Sequence, residues 1–187
     1  MKTYLENWYN NNLSSVDDKI SKTAYFCNNR QVSTKGDGTY KNTGYGITPT
    51  YYGYTRIYDW NGNATGPTLT CPQVNDKFTV STATGNGKQT KPIGLITADE
   101  VNMAGGKNGF RNMLYYLYTG TDYWTMSPSL FLSSWSNALE FYVSSSGELV
   151  AWLDVTYGNG VRPVLNLNTE NLEFTGTGTM QDPYVIE

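Results

Sequence analysis

The sequence predicts an α+β domain with a small twisted antiparallel sheet, two helices and long ordered loops. Three observations predict it. Leu5, Trp8, Tyr9 and Leu13 recur at the spacing of one helical face. Thr97 stands three residues before Glu100, ahead of Val101 and Ala104, which is the capping-box pattern of a second helix. "ALEFYV", "SSSG" and "ELVAWLDV" read as strand, turn and strand.

Taken in order, Thr3 to Leu13 is an amphipathic helix, weakened at its end by Asn10-Asn11-Asn12. "FCNNR" (Phe26 to Arg30) is a short strand, and "STKGDGTYKNTGYG" is loop. The next stretch, 49–71, is aromatic and turn-rich, with a tight-turn signal at Asn61-Gly62. "STATGNGKQT" is another loop. Pro92 to Ile96 is an apolar strand running into the helix capped by Thr97 and Glu100, and Gly105-Gly106 ends that helix. Asp99 and Glu100 suit the positive end of its dipole, so they are read as capping groups rather than catalysts. "MLYYLYTGTDYWTMSPSLF" supplies strands around a loop. "VRPVLNL" (Val161 to Leu167) is a core strand, and the tail is a turn with one last short strand. Within "VRPVLNL", Arg162 is a structural residue, because a long cation among apolar neighbours must find acceptors, in Asp99, Glu100 or loop carbonyls.

The 187 residues suffice for one domain with a real core, and no linker divides them. The opening reads as the start of a domain from the C-terminal part of a longer protein, with any export signal upstream. Thirteen Lys+Arg against sixteen Asp+Glu, a net charge of −3, leave no basic excess for phosphates, so nucleic acid is not an expected partner. No apolar run is long enough to span a bilayer, so no membrane contact by the domain is expected. The absence of His excludes Ser-His-Asp and Cys-His catalysis and His-ligated zinc within the chain. Cys27 and Cys71 are too few for a zinc site. They are one disulfide, if the protein is exported, or two buried thiols. Sixteen Tyr and nineteen Gly are the palette of an adaptable binding surface or of a turn-rich β protein.

Little else in the chain suggests chemistry. Asp59, Asn61 and Asn63 alternate like the start of a calcium loop, but the later Glu is missing and a turn explains the Asn-Gly pair. No other cofactor is expected. The glycines at 105–106 and 176–178 lack phosphate-loop spacing. Glu140 and Glu148 flank a hairpin, either as the carboxylate pair a glycosidase needs or as two surface acids.

Gly94-Leu95-Ile96-Thr97-Ala98-Asp99-Glu100-Val101-Asn102-Met103-Ala104-Gly105-Gly106 is similar to the start of a helix in formylglycine-generating-enzyme-like domains, a branch of the C-type-lectin fold. Gly160-Val161-Arg162-Pro163-Val164 resembles the strand that closes that fold. The order of "YLENWYNNNL", "FCNNR", "TYYGYTR", "GLITADEV", "YWTMSPS", "GVRPVLNL" and "GTGTMQDPYVIE" also resembles a family of bacterial and prophage surface proteins, over nearly the whole chain. The reactive cysteine pair of the enzymes is missing, since no Cys follows Cys71. The calcium motifs of sugar-binding lectins are missing too, Trp135-Ser136-Asn137 being a faint echo of one.

The resemblance therefore implies a C-type-lectin-like domain, 1–187, displaying a binding surface outside the cell or on a phage particle, without catalysis. Its partner would be a protein or glycan on a cell surface. In C-type-lectin-fold targets of diversity-generating retroelements, the segment before the closing strand is rewritten and exposed for binding. Here Trp135 to Asn159 occupies that place. The expected binding residues are Trp135, Asn137, Val150, Trp152, Asp154, Tyr157 and Asn159. Alternation puts Val150, Trp152 and Asp154 on an open side and Leu149, Ala151 and Leu153 on a core side. The alternatives are a hairpin that is an ordinary edge with Trp152 packed inward, a structural or pilus-like module, and, disfavoured, a formylglycine-generating-like enzyme.

Overall fold

The computed structural model describes residues 1–33, 50–57 and 65–186. The expected loop from Thr34 to Gly46, the turn at Asn61-Gly62 and the oxygen ligands Asp59, Asn61 and Asn63 lie outside the described residues. The described elements are α1 (Lys2–Asn12), β1 (Phe26–Cys27), β2 (Thr50–Tyr51), α2 (Tyr54–Ile57), β3 (Lys77–Phe78), β4 (Gly94–Leu95), α3 (Ala98–Met103), β5 (Tyr123–Leu132), β6 (Asn137–Val143), β7 (Leu149–Asp154), β8 (Pro163–Val164), β9 (Phe174–Thr175) and β10 (Val185–Ile186).

The architecture is mixed α+β. Its centre is an antiparallel sheet of order β2-β5-β6-β7, with three two-stranded ribbons, β1-β3, β4-β8 and β9-β10. Because side chains alternate across a strand, the central sheet has two apolar faces. Leu130, Leu139, Phe141, Val143, Leu149 and Ala151 build the first, with Ile57 from α2 and Val101 from α3 packed on them. Trp124 belongs to the second face, where it meets Leu5 and Tyr9 of α1, Ile93 and Leu95. Burying apolar surface on both faces is what fixes the register of β5 and β6.

α1 keeps its expected face. Leu5 and Tyr9 are buried, and the Tyr9 hydroxyl donates to Asp17 at 2.8 Å. Glu6 accepts from the Thr90 amide at 2.7 Å and from Lys2 at 2.9 Å, tying the helix to the loop before β4. The capping box at α3 is formed: Glu100 N–H donates to the Thr97 hydroxyl at 3.1 Å and the Thr97 N–H donates to Glu100 at 2.8 Å. Asp99 takes a different role from the expected cap. It is buried, accepts two bonds from Arg56, each 3.0 Å, and one from the Thr68 amide at 2.9 Å. β4 runs so close to β1 that a Cβ on Gly94 would overlap the Phe26 ring.

Two expected strands are corrected. "MLYYLY" forms turns and bends, since the Asn112 side chain accepts from the Leu114 amide and donates to the Gly105 carbonyl, each at 3.0 Å, and holds the chain out of a ladder. Tyr115 and Leu117 still enter the first core cluster. "VRPVLNL" is strand only at Pro163–Val164 and is half-buried there. Pro163 has no N–H for a ladder, and beyond it the Asn166 carbonyl accepts from Ser21 at 2.8 Å. The tail, 176–186, is a turn and one short strand, β10, as expected, and β10 pairs with β9 just before it.

Candidate functional site

The segment 135–159 begins at the turn between β5 and β6 and ends past β7, the edge strand of the central sheet. Trp135 sits in that turn, next to Ser136 at φ 54°, and is 73 % exposed. Val155 N–H donates to the Ala138 carbonyl at 3.0 Å, so the chain leaving β7 lies beside the start of β6. The turn carrying Trp135 and the turn carrying Tyr157 thus share one end of the sheet. Tyr157 is 65 % exposed and Trp152 is 44 % exposed.

The small polar residues shape this end. One Asp154 oxygen accepts from the Thr156 amide at 2.8 Å and its hydroxyl at 2.7 Å, and the Tyr157 amide donates to the Asp154 carbonyl. These bonds from Thr156 hold the Asp154 carboxyl below its ordinary range. Asp154 therefore fixes the turn that presents Tyr157. Asn159 accepts from Gly160 N–H at 2.8 Å, while its Nδ2 is buried with no partner among the described residues. Asn137 pairs with Leu132 at the start of β6 and is half-buried.

The alternation expected along β7 is broken. Tyr142 pairs with Val150 and Glu140 with Leu153, so two steps on β6 match three on β7. This is a bulge, which adds one residue to one strand and resets the sides. Leu153 consequently packs in the second cluster with Trp124 and α1, away from Ala151 in the first. Val150 lies on that same second side, opposite Tyr142, and not on an open face with Asp154, which pairs with Leu139 on the first side. The Ala151 carbonyl at the bulge accepts from the Ser129 hydroxyl. Of the expected set, Trp135, Asp154 and Tyr157 lie at or beside the turns at one end of the sheet, Trp152 is on the edge strand β7 that leads to that end, and Val150 lies on the second side.

The residues expected to be structural are placed as follows. Arg162 Nη1 donates to the Leu117 carbonyl at 2.6 Å, and its guanidinium lies 5.5 Å from the centre of the Tyr123 ring. The acceptor is thus a loop carbonyl and not Asp99 or Glu100. Cys27 and Cys71 are joined by a disulfide, with Cα atoms 5.8 Å apart. Glu140 and Glu148 do not form a carboxylate pair. Glu148 lies opposite Ser144, four positions along the β6 strand from Glu140, or about 13 Å, and it accepts from the Gly109 amide at 2.9 Å.

Two features escaped the sequence reading. Phe110, Met113, Leu114 and Tyr116 are all more than half exposed, a second apolar surface on the start of the segment taken for strand and just before it. The other is a cavity of ≈ 340 Å³ between α1, the β1-β3 ribbon and the second face of the central sheet, lined by Leu5, Phe78, Trp124, Met126 and Glu140. Desolvation pushes the Glu140 carboxyl up to about 7. Its neighbours in sequence gave no sign of this, because burial on that face depends on the packing of α1. Among the described residues, no group of three or more His, Cys, Asp or Glu is placed to hold a metal ion, and no helix is long and apolar enough to cross a membrane. No protein-family model, curated protein or solved structure matches the chain.

Proposed function

We propose that this chain is a non-catalytic ligand-binding display domain of C-type-lectin-like type, whose binding face is the exposed end of the central sheet at Trp135, Trp152 and Tyr157. The observation that carries the reading is the exposure of three large aromatics, 73, 44 and 65 %, on turns and an edge strand whose backbone is fixed by Asp154 and Thr156. Large rigid aromatics on a fixed frame are what protein and glycan interfaces use as anchors. A disulfide between Cys27 and Cys71 suits an extracellular, cell-surface or phage-particle location. The partner would be a protein or glycan of another surface, and no cofactor is invoked. If the segment is diversified, the genome beside the coding region holds a reverse transcriptase and a near-copy of the sequence for Trp135 to Asn159.

The test is binding to a printed array of surface glycans and cell-surface proteins by the wild-type chain and by W152S/Y157S. The reading expects discrete positives that the double variant loses. Equal signals from both proteins contradict it. A second reading, a structural or pilus-like module, has its own support in the C-terminal ribbon, where Phe174, Tyr184 and Val185 are exposed and would be covered by a neighbouring subunit. Concentration-dependent assembly that is abolished by F174S/Y184S would favour it.

A further inference from the structure

Two exposed apolar surfaces lie apart from the aromatic end of the sheet, and they carry opposite charge. The first is 107–116, with Phe110, Met113, Leu114 and Tyr116 in the open. Its backbone is held in place: Gly109 N–H donates to Glu148 at 2.9 Å, Leu149 N–H donates to the Lys107 carbonyl at 3.4 Å, and Asn112 binds both Gly105 and Leu114. These bonds seat it against the turn between β6 and β7, at the opposite end of β6 from Trp135. The second surface is the β9-β10 ribbon, where every residue of 173–185 is exposed. Phe174 pairs with Ile186, and alternation puts Tyr184 on their side, so the ribbon has an apolar face. Between Glu100 and Asp122 the chain has Lys107 and Arg111 and no acid. After Arg162 it has Glu170, Glu173 and Asp182 among its acids and no Lys or Arg. Among the described residues none of these five charges is in an ion pair. Glu148 and Asp122, the acids at the β6-β7 turn, each accept from a backbone amide, those of Gly109 and Ser145.

We propose that these two surfaces bind each other between successive copies of this chain, the ribbon of one copy lying on 107–116 of the next with its acids toward Lys107 and Arg111.

Both surfaces are exposed in one and the same chain, so they do not cover each other within it. Exposed apolar patches rimmed by polar groups mark interaction sites, and opposite charges on two such patches select each as the other's partner. Because the two surfaces differ, the contact is heterologous, and repetition closes a ring or extends a filament. A few side chains on each copy make a contact at the small, weak end of the range, so assembly requires high local concentration and weakens with salt. The inference deepens the second reading above, a structural module, by naming what covers the ribbon. It also leaves Trp135 and Tyr157, at the other end of the sheet, open on every copy of the array.

The experiment is sedimentation velocity of the 187-residue chain over a concentration series at low salt, with M113S/L114S, F174S/Y184S and their equimolar mixture. The wild type should pass beyond the dimer as concentration rises. Each variant alone should stay monomeric, since it keeps only one of the two surfaces. Their mixture should form dimers and nothing larger, because each variant supplies the surface the other lacks. K107E/R111E should weaken wild-type assembly by at least about tenfold, and adding E170K/E173K to the same chain should restore it. A wild type that is monomeric throughout overturns the proposal. So does a mixture that does not dimerise. Assembly of either apolar variant alone would keep a structural module, through a contact between like surfaces, and would overturn this one. The charge-reversed pair lies at exposed positions and decides even if an apolar variant does not fold: loss that E170K/E173K fails to restore contradicts the pairing.

Discussion

Glu140 shows how a single residue's surroundings set its behaviour. A carboxyl raised from its ordinary value to about 7 holds its proton in the folded state where the unfolded chain has lost it. The folded protein therefore loses stability as pH rises from about 4.5 to about 7, and the loss levels off above that. The shift corresponds to ~3 kcal/mol. Urea unfolding at pH 5 and pH 8 should show Glu140→Gln gaining on the wild type by ~2–3 kcal/mol at the higher pH. An equal difference at both values contradicts the burial described for this residue. Arg162 is the converse case, a cation that has found its partners in the Leu117 carbonyl and the Tyr123 ring. Arg162→Ala removes a charged hydrogen bond worth ~1.5–3 kcal/mol. Its melting temperature should fall by several degrees, and an unchanged value would make the residue dispensable. That Arg162 would find an acceptor in a loop carbonyl was among the readings its apolar neighbours allowed. That Glu140 is desolvated was not, because nothing in "ALEFYV" announces that α1 will cover it.

At the scale of elements, the local signals that specify a hydrogen bond between near neighbours were legible, and those that depend on distant chain were not. The capping box at Thr97 and Glu100 is written in the spacing and is present. The hairpin of β6 and β7 is written in its alternation and its Gly147, whose φ of 77° suits the turn. The bulge in β7 is invisible to period-two counting and turns Leu153 onto the side of Trp124. "MLYYLY" has strand-forming residues, yet the Asn112 side chain captures its backbone first. In the same way Asp99 looked like a helix cap, while its partner Arg56 lies 43 positions away. The disulfide, too, joins distant segments, Cys27 in β1 and Cys71, across a separation of 44 residues. On the chain-entropy account, closing such a loop stabilises by ~4 kcal/mol. Thiol titration of the denatured, unreduced protein should find no free thiol, and reduction should lower the melting temperature sharply. Two titratable thiols would reject the bridge.

For the molecule as a whole, the division of labour is between the two covered faces of the central sheet and its uncovered end. The covered faces hold Phe141, Val143, Leu149 and Tyr9, which are essentially inaccessible, and there a large-to-small change removes packing on every side. The uncovered end holds Trp135, Trp152 and Tyr157, which are 73, 44 and 65 % exposed. Substitutions at exposed positions of this kind stay within about 1 kcal/mol, so such a surface tolerates changes of sequence without loss of fold. Phe141→Ala, by contrast, should cost ~3–5 kcal/mol. The composition pointed toward a Tyr-rich surface, but only the packing shows which tyrosines are on it: Tyr9, Tyr51 and Tyr123 are core, and Tyr116, Tyr157 and Tyr184 are not. The central claim is that the aromatic end of the sheet serves a partner rather than the fold. Chemical denaturation of the wild type and W152S/Y157S under one set of conditions tests it most directly. The expected unfolding free energies agree within about 1 kcal/mol with unchanged slope; a loss of several kcal/mol would show that these aromatics hold the domain together, and the claim would fail.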